Sequence, residues 1–370
     1  MKIGLICQPN YRFEKNAQGG AKFFIYQYLK ALDKRNDIKT IAFISKKAQI
    51  DLQNTKILKK YDRDFPILRG DISRDDEIKV KLTEYIFFYK NILLNYQDQV
   101  DLFHILIGGS GRFELWMPII TCLANLIKKP IIITLHTSSP FYSLGIEKEL
   151  NSLISKNVYF NSISKFQQKI MPLKFIKNIY NGVDLDNFIY NEKPDNSFLW
   201  IGRINQDKAL HLACRLAKKA NIKLNIAGNI NLLNKKSKNT KYFLSKVKPL
   251  LSKKIKYIGF LGLEEKIKYY QGARAMIFTS SFQGEGCPLV ILESCACGTP
   301  VIVFKNLAGK ELIKDGVNGF FVETEKEFIK AIENVDKINR RRCRKYMENN
   351  FSFRKMIDNY IKLYKKIYKK

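Results

Sequence analysis

Residues 284–300 read GEGCPLVILESCACGTP, and seven residues separate the two carboxylates in this stretch, Glu285 and Glu293. Proline is favoured at the start of a helix and glycine just past its end. Pro288 and Gly298 therefore predict a short helix between them, and Pro300 prevents its continuation. The run Leu289-Val290-Ile291-Leu292 is apolar on every side, which predicts that the helix is buried. Glu285 falls in the loop leading into it and Glu293 in the helix itself. A buried carboxylate is costly without a polar partner. Two arrangements satisfy both residues. Either a ligand offers paired hydroxyls to each, or Glu285 is a solvated loop residue and Glu293 pairs with a buried Arg or Lys.

Apolar runs at 275–279 and 301–304 flank this helix and predict strands. The same alternation of strand and helix extends over the whole chain. The second half adds strands at 198–201, 223–227, 255–260 and 319–322, with a helix over 207–220. The first half offers strands at 2–7, 38–45, 102–106, 130–135, 158–163 and 176–180, and helices at 21–32, 77–96 and 112–127. Continuously apolar strands separated by helices predict parallel sheets covered on both faces. The fold class is thus α/β, with two Rossmann-like doubly wound domains. The turn NGVD (181–184) and the polar stretch 190–196 mark their join, giving domains over 1–182 and 183–351 and a basic helical tail over 352–370. In such folds ligands bind at the C-terminal ends of the strands. The turns Gly19-Gly20, Gly202-Arg203 and Ala227-Gly228, and the strand-end His136, all fall on that edge.

Lys and Arg number 65 against 34 Asp and Glu, a net charge of +31. Such an excess draws a protein to nucleic acid, an acidic membrane surface or phosphorylated substrates, unless it is only solvated surface. No helix-turn-helix, RRM or KH pattern is present, so no specific nucleic-acid partner is expected. Seven cysteines lie scattered without CxxC spacing, which argues against zinc and for reduced core thiols. The apolar run after Met1-Lys2 is too short for a secretory signal, and no run reaches the roughly 18 to 20 residues of a membrane span. A cytoplasmic location is the expectation.

Arg203 ends a strand and Lys208 opens the helix after it. Two cations beside helix N-terminal amides suit a diphosphate, although either alone could be one more exposed base among 65. With these residues in place, the chain resembles the retaining glycosyltransferases of family 4, the glycosyl transferases group 1. The resemblance rests on FLWIGRINQDKAL (198–210), Ala227-Gly228, GEGCPLVILESCACGTPVI (284–302) and DGVNGFFVE (315–323). Glu285 and Glu293 reproduce that family's EX7E motif. The first half matches more loosely, through Gly19-Gly20, Thr134-Leu135-His136, Ser162-Ile163-Ser164 and NGVD (181–184).

The resemblance implies the GT-B architecture, with two Rossmann-like domains facing a central cleft. The first would serve the acceptor and the second the donor, and the tail helix would cross back onto the first. It implies transfer of a sugar from a UDP- or GDP-sugar to a hydroxyl of a glycan or lipid-linked acceptor, with retention of anomeric configuration. Cell-surface polysaccharide or glycolipid synthesis is the implied setting. Neither a metal nor a cofactor is implied. In this pattern Arg203 and Lys208 hold the diphosphate, and Glu293 binds the ribose. Glu285 contacts the transferred sugar beside the amides of Gly286, Cys287 and Leu289. Gly19 and Gly20 approach the donor phosphates, and His136 lies near the reacting sugar. His136 also fits a plain strand-end histidine with one backbone hydrogen bond.

The chain departs from the pattern at Ala209, where the family often has glycine, and at Cys287, where an aromatic is frequent. A non-catalytic nucleotide-sugar-binding subunit would use the same residues, and a nucleic-acid-binding protein would account for the charge alone. The tail, with twelve Lys or Arg against two acids over residues 340–370, interleaves Tyr360, Leu363, Tyr364, Ile367 and Tyr368 with lysines. That suggests either a peripheral contact with an anionic membrane on its inner face or a helix packed on the first domain with its lysines in water.

Overall fold

The computed structural model describes residues 1–7, 20–46, 48–59, 74–108, 113–136, 154–234, 236–281 and 285–369. Gly19 and Gly284 lie outside them. The chain divides into two compact units, residues 1–179 with 357–370 and residues 180–356.

The first unit runs β1 (Lys2–Cys7), α1 (Gly20–Asp33), β2 (Lys39–Ile44), β3 (Lys56–Lys59), α2 (Arg74–Tyr96), β4 (Leu102–Ile107), α3 (Phe113–Ala124), β5 (Ile131–Leu135), β6 (Val158–Ser162), α4 (Lys165–Ile170) and β7 (Phe175–Asn178). Among the described residues these strands form one seven-stranded parallel sheet in the order β3-β2-β1-β4-β5-β6-β7. The central strands carry apolar residues toward both faces, as a sheet covered on both sides requires. Gly4 in β1 lies opposite Phe103 of β4, and a Cβ there would come within 2.6 Å of the Phe103 ring. Only glycine lets these two strands keep their register under that ring.

The second unit contains β8 (Phe198–Ile201), α5 (Leu210–Lys219), β9 (Leu224–Ala227), α6 (Lys238–Tyr242), β10 (Ile255–Gly259), α7 (Leu263–Gly272), β11 (Ala275–Phe278), α8 (Leu289–Ala296), β12 (Val301–Phe304), α9 (Leu307–Lys310), β13 (Gly319–Val322), α10 (Glu325–Asn334) and α11 (Arg340–Phe351). Its parallel sheet is ordered β10-β9-β8-β11-β12-β13. Both units therefore have the α/β, Rossmann-like construction. Helix α8 is the predicted 288–298 element, with Pro288 as its N-cap and Leu289 its first helical residue. It stops at Gly298, whose φ of +85° is left-handed and whose Cβ would sit 2.8 Å from the Tyr190 ring.

The predicted helix over 207–220 is not continuous. Gln206–Lys208 forms a single tight turn, capped by the Asn205 side chain. Ala209 then adopts φ 49°, ψ 41°, which ends that turn and starts α5 on a new axis. Strand β3 and helix α4 carry no prediction. β3 is a four-residue edge strand, too short for a periodic signal.

The tail helix α12 (Phe353–Tyr368) follows α11 after a break at Ser352. From Ile357 onward it belongs to the first unit. Tyr360, Leu363, Tyr364 and Ile367 are buried, while Lys362, Lys365, Lys366, Tyr368 and Lys369 are exposed. Four of the five residues that could have faced lipid are thus committed to the core. Among the described residues, no helix is long and apolar enough to cross a membrane.

The tyrosines of α12 complete a buried polar network on the sheet. His104 of β4 and Thr134 of β5 lie on adjacent strands, and Asn161 of β6 is the register partner of Thr134. His104 Nε2 is 2.8 Å from Thr134 Oγ1, and its Nδ1 is 2.6 Å from the Tyr364 hydroxyl. The Tyr364 hydroxyl is 2.8 Å from that of Tyr28 on α1. Asn161 Nδ2 donates to the Tyr360 hydroxyl at 3.1 Å. Burial, together with the nearby His136, lowers the pKa of His104 from 6.5 to about 3. The imidazole is therefore neutral in the fold.

Two outcomes follow. In the unfolded chain His104 titrates near its ordinary 6.5, so below that pH the unfolded state binds the extra proton. Stability from this group is complete above pH 6.5 and falls with pH toward 3, by up to about 1.4 kcal/mol per unit. Urea unfolding between pH 7.5 and 5 should show this slope, and His104→Gln should flatten it; equal slopes in the two proteins would refute the assignment. Tyr364→Phe removes the hydroxyl shared by His104 and Tyr28 and should cost about 1 to 3 kcal/mol in the same assay at pH 7.5.

Candidate active site

The C-terminal ends of β8 and β11 lie side by side in the second sheet. Arg203 follows β8 and is exposed. The turn bearing Lys208 is tied to the end of β11. Thr279 Oγ1 is 3.2 Å from Trp200 Nε1, from which it accepts, and 3.2 Å from the carbonyl of Ala209, to which it donates. The Ser281 amide donates to the Asp207 carbonyl at 2.8 Å. These contacts hold Ala209 in its left-handed conformation, which L-residues other than Asn and Asp rarely adopt, and they fix where Lys208 starts.

Lys208 Nζ forms an ion pair with Glu285 Oε1. Ser280 Oγ donates to the same carboxylate oxygen at 2.8 Å, and Asn306 Nδ2 holds the Ser280 carbonyl at 2.9 Å. Glu285 is therefore not a freely solvated loop residue. One predicted diphosphate ligand and the predicted sugar ligand meet directly. Gly286, Cys287 and Pro288 after it are buried, and Leu289 is half-buried. Asn181 Nδ2 lies 3.4 Å from the Cys287 carbonyl, tying the start of this unit to the loop. Burial pushes the Cys287 thiol up to about 12, so it is neutral and is no nucleophile.

Glu293 is 4% exposed. Lys266 Nζ lies 3.0 Å from both its carboxylate oxygens, and the Tyr270 hydroxyl donates to Oε2 at 2.9 Å. Lys266 and Tyr270 stand one turn apart on α7. Lys266 also lies 5.3 Å from the centre of the Phe188 ring. Of the two partners open to Glu293 from sequence, the protein itself supplies the cation.

The far ends of α7 and α8 are joined by Arg340 of α11, which is 8% exposed. Its guanidinium donates to the carbonyls of Asn191, Ala273 and Gln271 at 2.8, 2.8 and 2.9 Å, and to Thr299 Oγ1 at 2.6 Å. Thr299 Oγ1 in turn donates to the Tyr270 carbonyl. One turn on, Arg344 donates to the carbonyls of Ala296 at 2.8 Å and Leu185 at 3.0 Å. Both arginines gather carbonyls that the ends of α7 and α8 and the 185–191 strap would otherwise leave open.

Gly20 and His136 stand in the first unit. Gly20 is the first, exposed residue of α1. His136 directly follows β5; its amide donates to the Ile107 carbonyl at 2.6 Å, and its ring centre lies 4.5 Å from that of Phe24. Sequence reasoning did not single out Lys266, Tyr270, Ser280 or Arg340. The polar run Thr279-Ser280-Ser281 directly after a strand was a usable signal. Lys266 and Arg340 gave none, because cations are everywhere in this chain.

The model of the glycosyl transferases group 1 matches residues 184–369, half the chain. This protein belongs to that family. It is 26% identical over 265 residues to an uncharacterised glycosyltransferase of Methanocaldococcus jannaschii, covering 66% of this chain and 71% of that one. Among solved structures it is similar to a sucrose-phosphate synthase from Thermosynechococcus elongatus, with a TM-score of 0.72 at 16% identity over 99% of both chains. It is also similar to HepE of Anabaena in complex with UDP-glucose, with a TM-score of 0.65 at 14% identity over 98% of this chain and 99% of that one. The fold shared with these structures is GT-B, and the chain is a glycosyltransferase of group 1 with that fold.

Arg340→Met keeps the volume but leaves three carbonyls and the Thr299 hydroxyl without their donor. Urea unfolding should show the second unit destabilised by roughly 2 to 5 kcal/mol. A change under about 1 kcal/mol would mean that these carbonyls find other partners.

Proposed function

We propose that this glycosyltransferase moves a sugar from a UDP- or GDP-sugar to a hydroxyl of a glycan or lipid-linked acceptor, with retention at the anomeric carbon and without a metal. The observation that carries the reading is the convergence, in a group 1 glycosyltransferase, of Lys208, Glu285 and Ser280 at the C-terminal ends of β8 and β11. This is the edge where doubly wound sheets bind ligands. HepE, which shares the fold, was solved with UDP-glucose, and this supports a nucleotide-sugar donor.

In this reading Arg203 and Lys208 bind the diphosphate, Glu293 accepts from the ribose hydroxyls, and Glu285 accepts from a hydroxyl of the transferred sugar. The amides of Gly286, Cys287 and Leu289 flank that sugar. Gly19 and Gly20 keep the implied role at the donor phosphates, and His136 the implied place near the reacting sugar. The bond from the anomeric carbon to the diphosphate oxygen breaks, and the acceptor oxygen bonds to that carbon from the same face. The acceptor proton passes to the departing diphosphate oxygen, so the protein need supply no separate base. Its task is to stabilise charge growing on the leaving group. Before the donor arrives, the ion pair with Glu285 holds the Lys208 ammonium in place, which lowers the cost of organising it later.

The exposed lysines of α12 supply positive charge for an anionic membrane surface at the inner face of the cell membrane, where a lipid-linked acceptor would be met. Cell-surface polysaccharide or glycolipid synthesis is the setting that suits this acceptor.

Thermal-shift screening against UDP-, GDP- and ADP-sugars should reveal the donor as the compound that raises the melting temperature. With that donor, Arg203→Ala and Lys208→Ala should each cost roughly 2 to 4 kcal/mol of transition-state stabilisation in kcat/KM. Normal turnover by the double variant would refute the diphosphate assignment, and an inverted product anomer by NMR would refute retention.

A further inference from the structure

We infer that Lys266 is a positioning residue for the nucleoside end of the donor, acting through Glu293. The inference rests on the proposed ribose role of Glu293. A carboxylate that receives a ribose diol must present its oxygens in a fixed orientation, and Glu293 is almost wholly enclosed. Lys266 Nζ spans the two oxygens symmetrically, at 3.0 Å from each. Tyr270 adds a hydrogen bond to one of them at 2.9 Å. Together they set the plane of the carboxylate and supply its counter-charge in a setting where an isolated charge is costly. A carboxylate has about four lone-pair sites; Lys266 and Tyr270 take three of them, so both can stay bound while Glu293 accepts from one ribose hydroxyl.

The side-chain exposures give the pair a direction. Lys266 is 17% exposed and Glu293 6%, so the cation lies on the more open side of the pair. Helix α7 does not depend on this ion pair alone for its place. Arg340 and Thr299 hold its C-terminal end through the carbonyls of Tyr270, Gln271 and Ala273. Removing the ammonium therefore disturbs the carboxylate more than the scaffold. The diphosphate cation, Lys208, is engaged by Glu285 instead, so the two glutamates of the EX7E pair each hold their own lysine.

The experiment compares Lys266→Met, Lys266→Arg and Glu293→Gln in the full chain. Calorimetry measures binding of UDP and GDP, initial rates give KM and kcat with the donor that turns over, and melting temperature monitors folding. Lys266→Met should weaken nucleotide binding and raise the donor KM about tenfold, the size expected for a lost charged hydrogen bond. Its kcat at saturating donor should stay within about twofold, the signature of lost uniform binding, and Lys266→Arg should restore most of the affinity.

If Glu293→Gln loses nucleotide affinity and Lys266→Met does not, the positioning role is wrong and the ribose reading stands. If Glu293→Gln binds as tightly as the parent, the ribose reading itself fails. Tighter binding by Lys266→Met would show that the lysine competes with the ligand. A fall in kcat together with a lower melting temperature would reduce it to a structural contact. Either result overturns the inference.

Discussion

A carboxylate shut away from water has to be met by charge, and in this protein that requirement fixes the relation between two helices. Glu293 on α8 can be buried because Lys266 and Tyr270 on α7 reach it. Once that contact is made, the remaining freedom lies at the opposite ends of the helices, where Arg340 collects the last carbonyls of α7 and the Thr299 hydroxyl just past α8. The two helices are thus clamped at two points. One clamp is an ion pair with a lysine. The other is a guanidinium bonded only to neutral oxygens, a use that suits the flat, many-donor geometry of arginine and not a point-like ammonium.

The same division of labour explains how a chain with a net charge of +31 folds around buried cations. The buried guanidinium of Arg340 is spent on closing backbone valences. Lysines are mostly left on the surface, as on α12, where they alternate with buried tyrosines and aliphatics. Lys208 and Lys266 differ from that surface set because each faces a carboxylate delivered by the loop or helix at residues 285–293.

Much of this was legible before the structure. Strands such as 301–304 and 319–322 are apolar, short and bounded by turns, so their period and ends coincide with the observed β12 and β13. Helix α8 was legible from Pro288 and Gly298. What escaped was whatever depends on a partner distant in sequence. The break at Ala209 is held by the Thr279 hydroxyl just past β11, about 70 residues away, while its local sequence reads as continuous helix. Lys266 meets Glu293 from 27 residues away, and a single lysine among 65 basic residues carries no mark of that meeting. Cys287, which departs from the pattern the resemblance implies, is buried and serves as packing.

The path of the chain has a consequence for how the molecule is made. Residues 180–356 are contiguous, so the second unit can close as soon as they are synthesised, and its own two ends are stitched together where Val183 bonds Phe351 and Phe353. The first unit cannot. His104, Thr134 and Asn161 lie in its early strands, but the hydroxyls that satisfy them come from Tyr360 and Tyr364. Domains usually fold in the order in which they are translated. Here the unit begun first lacks the partners of a polar slot in its sheet until Tyr360 and Tyr364 have been synthesised, so it is completed after residues 180–356.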